Sequence, residues 1–164
     1  GLVNHLLQLG WTLQGAKVAI LGAGGASRGV VLPLIEAGIS ELTIANRTLS
    51  KAEDLIDQLR AASPVIDNLA PTSCAIEALT GHYDVIINAT SIGLSGDKLP
   101  LDSELSCYYA YDMMYGKELP FLTHFQQQGA QVSEGYGMLI GQAALSFEKW
   151  TGASVDPSLL LGSQ

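Results

Sequence analysis

The sequence predicts a single α/β domain: a Rossmann-like, doubly wound and mostly parallel sheet with helices on both faces. Three observations predict it. Apolar runs rich in Val, Ile and Tyr alternate with helical stretches along the chain. A glycine-rich turn follows the first of those runs, and no repeat, low-complexity tract or Pro/Gly-rich linker divides the chain. Its 164 residues also match one domain of roughly 100–200 residues.

Taken in order, Val3–Leu9 reads as an opening helix with no strand partner of its own in the sequence. Lys17–Gly22 (KVAILG) is a continuous apolar run ending at glycine, as expected of a strand buried on both faces. Glu41–Ala45 is a second strand, Ser73–Ile76 a weaker third, Tyr83–Ala89 a fourth, Cys107–Met113 a fifth and Gln131–Ser133 a short sixth. Between them, Ala26–Ala37 and Leu49–Ala62 have helical composition and apolar spacing near 3.6 residues. Leu119–Gln128 fits a further helix. Leu139, Ala143, Phe147 and Trp150 fall on one stripe of an amphipathic helix over Tyr136–Trp150, opened by Gly135-Tyr136-Gly137.

Composition excludes several classes. The hydrophobic fraction of 48% against 15% charged residues excludes a disordered chain. Eight basic and sixteen acidic residues give a net charge of −8, with the basic ones scattered from Lys17 to Lys149, so no basic face exists to meet nucleic acid. The run Val18–Ala26 is too short and glycine-rich to span a bilayer, and no membrane partner is expected. Cys74 and Cys107 have no CxxC spacing and read as free thiols in a reducing cytoplasm. His5, His82 and His124 fit no ligand or triad pattern, and metal spacing is lacking.

The first chemical signal is Gly22-Ala23-Gly24-Gly25-Ala26-Ser27, directly after the first strand. Gly22 and Gly24 fit the GxGxxG dinucleotide fingerprint and Ser27 takes its third place. The first glycine permits a tight turn, the second lets a pyrophosphate approach the backbone, and the third position needs a small residue for helix–strand packing. The following helix points free N–H groups and its positive dipole end at the anion. A rival reading takes Gly25-Ala26-Ser27-Arg28-Gly29 as the GxSxG elbow of a serine hydrolase, with Asp112 and His124 in the hydrolase order. Ser27 lies too far beyond its strand for that, only one strand precedes it, and His124 falls inside a predicted helix.

The end of the second strand selects the cofactor. NAD enzymes usually carry Asp or Glu about 20 residues past the first glycine, to bind the ribose 2′-hydroxyl. This chain has Asn46-Arg47-Thr48 there, followed by Lys51 in the first turn of the next helix. Arg47 offers a planar fork and Lys51 a further charge to a 2′-phosphate, while Thr48 is a candidate N-cap whose hydroxyl also reaches phosphate. The expected cofactor is NADP.

GAGGASRG, ANRTLSKAE, INATSIGLSG, YDMMYG and GYGMLIGQAALSFEKWTG, in that order, resemble the NADP-binding half of the shikimate dehydrogenase family over nearly the whole chain. The resemblance implies NADP-dependent interconversion of 3-dehydroshikimate and shikimate, a step of aromatic amino acid biosynthesis. It implies that Gly22, Ala23, Gly24, Gly25 and Ala26 wrap the pyrophosphate and that Asn46, Arg47, Thr48 and Lys51 hold the adenosine phosphate. The family often has Arg where Lys51 stands, which weakens the grip. Ala89, Thr90 and Ser91 would pass beside the ribose and nicotinamide. Asn88 reads equally as part of that segment or as a residue that ties down its loop. Met113, which spacing alone assigns to the core, would contact the nicotinamide, as would Gly135 through its backbone. Tyr115 and Gln142 match positions that contact the substrate.

The family's proton-donating Lys–Asp pair has no match in this chain, and its Asn-Thr-Asp-Gly segment would fall just ahead of Gly1. The expectation is therefore a cofactor half cut from a longer enzyme, able to bind NADP and unable to oxidise shikimate alone. Residues 1–12 would form a connecting helix, 13–134 the cofactor domain, and 135–164 helices that pack toward an absent N-terminal substrate domain. The opening helix and Leu159-Leu160-Leu161, left exposed, would drive association, with a homodimer as the simplest product. A quinate-using relative and a dinucleotide-binding module without a reaction of its own remain the alternatives.

Overall fold

The computed structural model describes residues 2–90, 100–114 and 119–135. Six parallel strands form one sheet in the order β3-β2-β1-β4-β5-β6. They are β1 (Lys17–Leu21), β2 (Glu41–Asn46), β3 (Thr72–Ala75), β4 (His82–Asn88), β5 (Ser106–Asp112) and β6 (Gln131–Glu134). This is the order of the dinucleotide-binding doubly wound sheet. Its central strand is β1, where Val18, Ala19, Ile20 and Leu21 are all fully buried. An apolar run without alternation is what a strand covered on both faces requires.

Two hydrophobic clusters cover the two faces. On one, Val18, Ile20, Ile44, Val85, Ile87 and Tyr111 meet the helices α1 (Leu2–Gln8), α2 (Gly25–Glu36) and α3 (Leu49–Ala62). The last two helices deliver stripes at helical spacing: Val30, Val31 and Leu34 from α2, and Ala52, Leu55, Ile56 and Leu59 from α3. On the other face, Ala19, Leu21, Ala45, Ile86 and Ala110 pack with Leu105 and with Phe121 and Phe125 of α4 (Pro120–Gln126). Burying each Leu, Ile or Phe contributes about 1.5–3 kcal/mol.

The helix α4 is shorter than the expected Leu119–Gln128 because its last turn tightens. The Gln128 and Gly129 amides bond three residues back, to Phe125 and Gln126 carbonyls, and Gly129 turns away at φ +91°. A 3-10 turn over Pro64–Leu69, which the sequence pattern does not announce, buries Ile66 and Leu69 beneath the link from α3 to β3. The amphipathic helix expected over Tyr136–Trp150 lies outside the described residues.

The opening helix has a partner on the sheet that its sequence did not disclose. Leu2, His5 and Leu6 are buried, and His5 Nδ1 lies 2.9 Å from the Tyr111 hydroxyl of β5. Burial holds the His5 imidazole below its ordinary value, so it meets that hydroxyl as a neutral ring. Gly10, at φ +81°, ends α1, while the Trp11 amide returns to the Leu6 carbonyl at 3.1 Å. That reversal lays the Trp11 indole on the Tyr109 ring, with centroids 4.9 Å apart. Leu6→Ala is expected to destabilise the chain by about 2–5 kcal/mol in urea unfolding, as for a core leucine. A loss under about 1 kcal/mol would instead make α1 a peripheral attachment.

Candidate functional site

The sheet order reverses between β1 and β4, and open α/β sheets bind ligands at the carboxyl ends of strands at such a point. Here the Gly22 amide bonds to the Ala45 carbonyl of β2 at 2.7 Å, and the Ala89 amide to the Leu21 carbonyl of β1 at 2.9 Å. Gly22 has φ +112°, and a Cβ there would meet Thr90 Cγ2 at 3.1 Å, Ser27 Oγ at 3.2 Å and the Ala89 carbonyl at 3.3 Å. Glycine is needed twice over, for its backbone angle and for the close approach.

Beyond Gly22 the turn opens. A Cβ at Gly24 or Gly25 would meet nothing within 4 Å. The Arg28 amide reaches the Gly24 carbonyl at 3.1 Å, which leaves the amides of Gly25, Ala26 and Ser27 without an acceptor inside the helix. Open space, helix-end amides and the positive end of α2 fit a pyrophosphate, with Ala23 half-buried and Ala26 exposed on the same turn. Ser27 is fully buried and donates to the Gly22 carbonyl at 2.7 Å. It locks the glycine turn and is not an exposed nucleophile, which removes the hydrolase reading. The other members of that triad are equally unavailable: Asp112 is committed to Asn88 and Met114, and His124 belongs to α4 with its Nε2 buried and unpartnered.

At the end of β2, the Asn46 side chain donates to the Thr48 carbonyl at 3.1 Å and shapes the turn into α3. Thr48 holds the N-cap position, as expected from sequence, but its side chain makes no capping bond. Arg47, Thr48 and Lys51 are all exposed, and among the described residues neither basic side chain enters an ion pair. The turn thus presents two cations and no carboxylate where a ribose would lie.

Past the switch point, Asn88 is 1% exposed and both ends of its side-chain amide are hydrogen-bonded. Nδ2 donates to Asp112 Oδ2 at 3.1 Å, while Oδ1 accepts from the Thr90 amide at 3.0 Å and the Thr90 hydroxyl at 2.6 Å. Of the two roles open to Asn88, the geometry supplies the loop anchor. The second Asp112 oxygen accepts from the Met114 amide at 2.9 Å, and the Met113 amide bonds to the Asn88 carbonyl at 3.0 Å. A Cβ on Gly135 would stand 2.1 Å from the Met113 carbonyl oxygen, so only glycine fits. Ala89, Thr90 and Met113 are half-buried along this edge, and Met113 also packs on the core. Ser91, Tyr115 and Gln142 lie outside the described residues. The Asn88–Asp112 pair is the feature that motif reading missed. Its one signal is a polar residue closing each of two adjacent apolar strands.

Burial, with Glu134 adding repulsion, pushes the Asp112 carboxyl up to about 6 against the bonds from Met114 and Asn88. Burial also raises both thiols, Cys107 to about 12, and the two cysteines are unpaired. His82 lies at the opposite edge, its Nδ1 2.9 Å from Ser106 Oγ. Among the described residues no group of three His, Cys, Asp or Glu side chains is placed to hold a metal. No helix among them is long and apolar enough to cross a membrane.

The fold and the glycine crevice define a Rossmann-type domain of the dinucleotide-binding class. Comparison with known proteins narrows the class. Residues 3–94 match the family model for shikimate/quinate 5-dehydrogenase, and residues 135–159 match that for the shikimate 5′-dehydrogenase C-terminal domain. The chain belongs to the shikimate/quinate 5-dehydrogenase family. It is 67% identical over 156 residues to a shikimate dehydrogenase (NADP(+)) of Psychrobacter arcticus, covering 95% of this chain and 54% of the relative. It is 47% identical over 159 residues to one from Acinetobacter baumannii, covering 97% and 59%. The chain therefore spans little more than half the length of these curated relatives. Among solved structures it resembles an Ael1 enzyme from Pseudomonas putida, with TM-score 0.80, 38% identity and 96% and 58% of the two chains covered. It also resembles shikimate 5-dehydrogenase from Thermus thermophilus in complex with shikimate, with TM-score 0.72, 32% identity and 96% and 56% covered.

Two glycine substitutions separate fold from site. Gly22→Ala is expected to cost about 1–3 kcal/mol of stability through its strained φ and crowded Cβ. Gly24→Ala should change stability by less than about 1 kcal/mol, yet weaken dinucleotide binding by roughly tenfold or more. Chemical denaturation and calorimetric titration of each variant check both. A carbon-13 titration of Asp112 should give a midpoint near 6, above the ordinary 3.8. Because the folded value is raised, this group's contribution to stability is largest below about pH 4, falls as pH rises to about 6, and is level above. A midpoint at or below 4 would contradict the burial of this carboxyl.

Proposed function

We propose that this chain is the cofactor-holding half of an NADP-dependent shikimate dehydrogenase, which reduces 3-dehydroshikimate to shikimate. The observation that carries the reading is the pairing of an open glycine crevice with a carboxylate-free, doubly cationic turn at the end of β2. The names of the relatives, shikimate dehydrogenase (NADP(+)), support the same cofactor and substrate. Bound NADPH supplies the hydride that reduces the ketone. The chain's own residues bind and orient: Gly22 to Ala26 receive the pyrophosphate on helix-end amides, and Arg47 with Lys51 and Thr48 receive the 2′-phosphate. Asn46 keeps that turn in place through its bond to the Thr48 carbonyl. Ala89, Thr90, Met113 and the Gly135 backbone are assigned to the nicotinamide; on the family resemblance, Ser91 joins them and Tyr115 and Gln142 are assigned to the substrate.

The proton delivered to the substrate oxygen is assigned to a Lys–Asp pair outside this sequence, so the chain alone binds cofactor and does not turn over. The missing acidic residue at the end of β2 favours shikimate over an NAD-linked quinate chemistry. A cytoplasmic location suits the two free thiols.

Calorimetric titration with NADP and NAD at two salt concentrations tests the assignment. NADP is expected to bind roughly tenfold or more tightly than NAD, with the difference shrinking as salt rises. Arg47→Ala should abolish most of that difference while leaving NAD binding within about twofold. Equal affinity for the two nucleotides would overturn the NADP assignment. Shikimate-dependent NADPH formation by this chain alone would overturn the division of labour.

A further inference from the structure

We propose that Asp112 is a positioning residue for the cofactor, acting through the orientation that it imposes on the Asn88 amide. The proposal rests on the NADP reading above and adds to it a residue and a role. Leu21, Asn88, Asp112 and Glu134 occupy one register level across four neighbouring strand ends. Paired residues of parallel strands point to the same face, so Asn88 and Asp112 stand side by side beneath the crevice. They are 1% and 2% exposed. Polar groups so buried cost stability that an apolar pair would not, unless something is gained from their direction.

Direction is what this pair supplies. An ionised carboxylate only accepts hydrogen bonds, so Asn88 must turn Nδ2 toward Asp112 and Oδ1 away from it. That orientation is the one that accepts both the amide and the hydroxyl of Thr90. Thr90 in turn sets its methyl 3.1 Å from where a Gly22 Cβ would be, against the glycine turn. The second Asp112 oxygen holds the Met114 amide, and the Met114 carbonyl accepts from the Gly135 amide at 2.9 Å. One carboxylate thereby couples Gly22, Thr90, Met113–Met114 and Gly135, all beside the nicotinamide end of the crevice.

An exchange of the two side chains tests this. Asp112→Asn leaves one oxygen for two donors, Asn88 Nδ2 and the Met114 amide, so one of those bonds is lost, and Asn88→Asp sets two carboxylates together. Each is expected to weaken NADP binding by roughly tenfold or more, the size of a lost charge-assisted hydrogen bond. The double exchange, Asn88→Asp with Asp112→Asn, keeps a donor–acceptor match for each of the four side-chain bonds described above. Its carboxylate at 88 accepts from Thr90 and from the amide at 112, whose oxygen accepts the Met114 N–H. It should recover affinity to within about threefold of the unaltered chain, which a residue that merely fills space would not do.

A second measurement needs no variant. On saturation with NADP, the Asp112 side-chain carbon-13 resonance should shift, while that of Asp84, which accepts from the Lys17 amide at the opposite edge, should not. Failure of the unaltered chain to bind NADP would overturn the cofactor reading and this proposal together. Full NADP binding by Asp112→Asn, a folded double exchange no better than the single variants, or an unmoved Asp112 resonance would overturn this proposal alone. If the single variants do not fold, the double exchange and the resonance decide.

Discussion

The carboxyl edge of this domain depends on one close approach, that of the β4 loop to Gly22. The end of β1 and the start of the Ala89–Thr90 segment share a hydrogen bond, and no room remains for a Cβ between them. Because β1 and β4 are neighbours at the reversal of strand order, this contact forms the floor of the crevice. Gly24 and Gly25, only two and three residues further on, face open space. Glycine thus stands in two opposite settings within one turn. Gly22 is required because the protein comes too close, whereas a Cβ at Gly24 would meet only open space.

Ser27 completes the turn from below. A larger residue at that position would separate α2 from β1, and an apolar one would leave the Gly22 carbonyl without its buried donor. The serine satisfies both demands, which is why GxSxG emerges here as a by-product of packing. The same sequence pattern in a hydrolase needs the hydroxyl exposed; here it is enclosed. Chemistry follows from where the strand ends, and β1 ends six residues before Ser27.

The acidic character of the chain sharpens the meaning of Arg47 and Lys51. With a net charge of −8, the protein as a whole repels a polyanion. Two exposed cations at the end of β2, with no carboxylate paired to either among the described residues, form a local exception. The Asn88–Asp112 pair is a different kind of exception, a charge kept inside the sheet edge. Its carboxyl sits near the boundary of ionisation because burial and Glu134 oppose two hydrogen-bond donors. When that carboxyl is ionised it only accepts hydrogen bonds, which leaves the neighbouring amide one way to face.

By itself the sequence determined the strand–helix alternation, the parallel sheet, the glycine turn and the cationic turn after β2. Each depends on residues close together in the chain, whose spacing carries the physics: unbroken apolar runs for doubly covered strands, and helical stripes for α2 and α3. Only the tertiary structure decided which polar residues work together. His5 meets Tyr111 across 106 positions, and Asn88 meets Asp112 across 24. Nothing in local spacing distinguishes such a pair from two unrelated polar residues at strand ends. Register brings them level, and register is a property of the whole sheet. The opening helix illustrates the same limit. Its composition marks it as a helix, but the partner for its buried face is supplied by a strand that comes a hundred residues later.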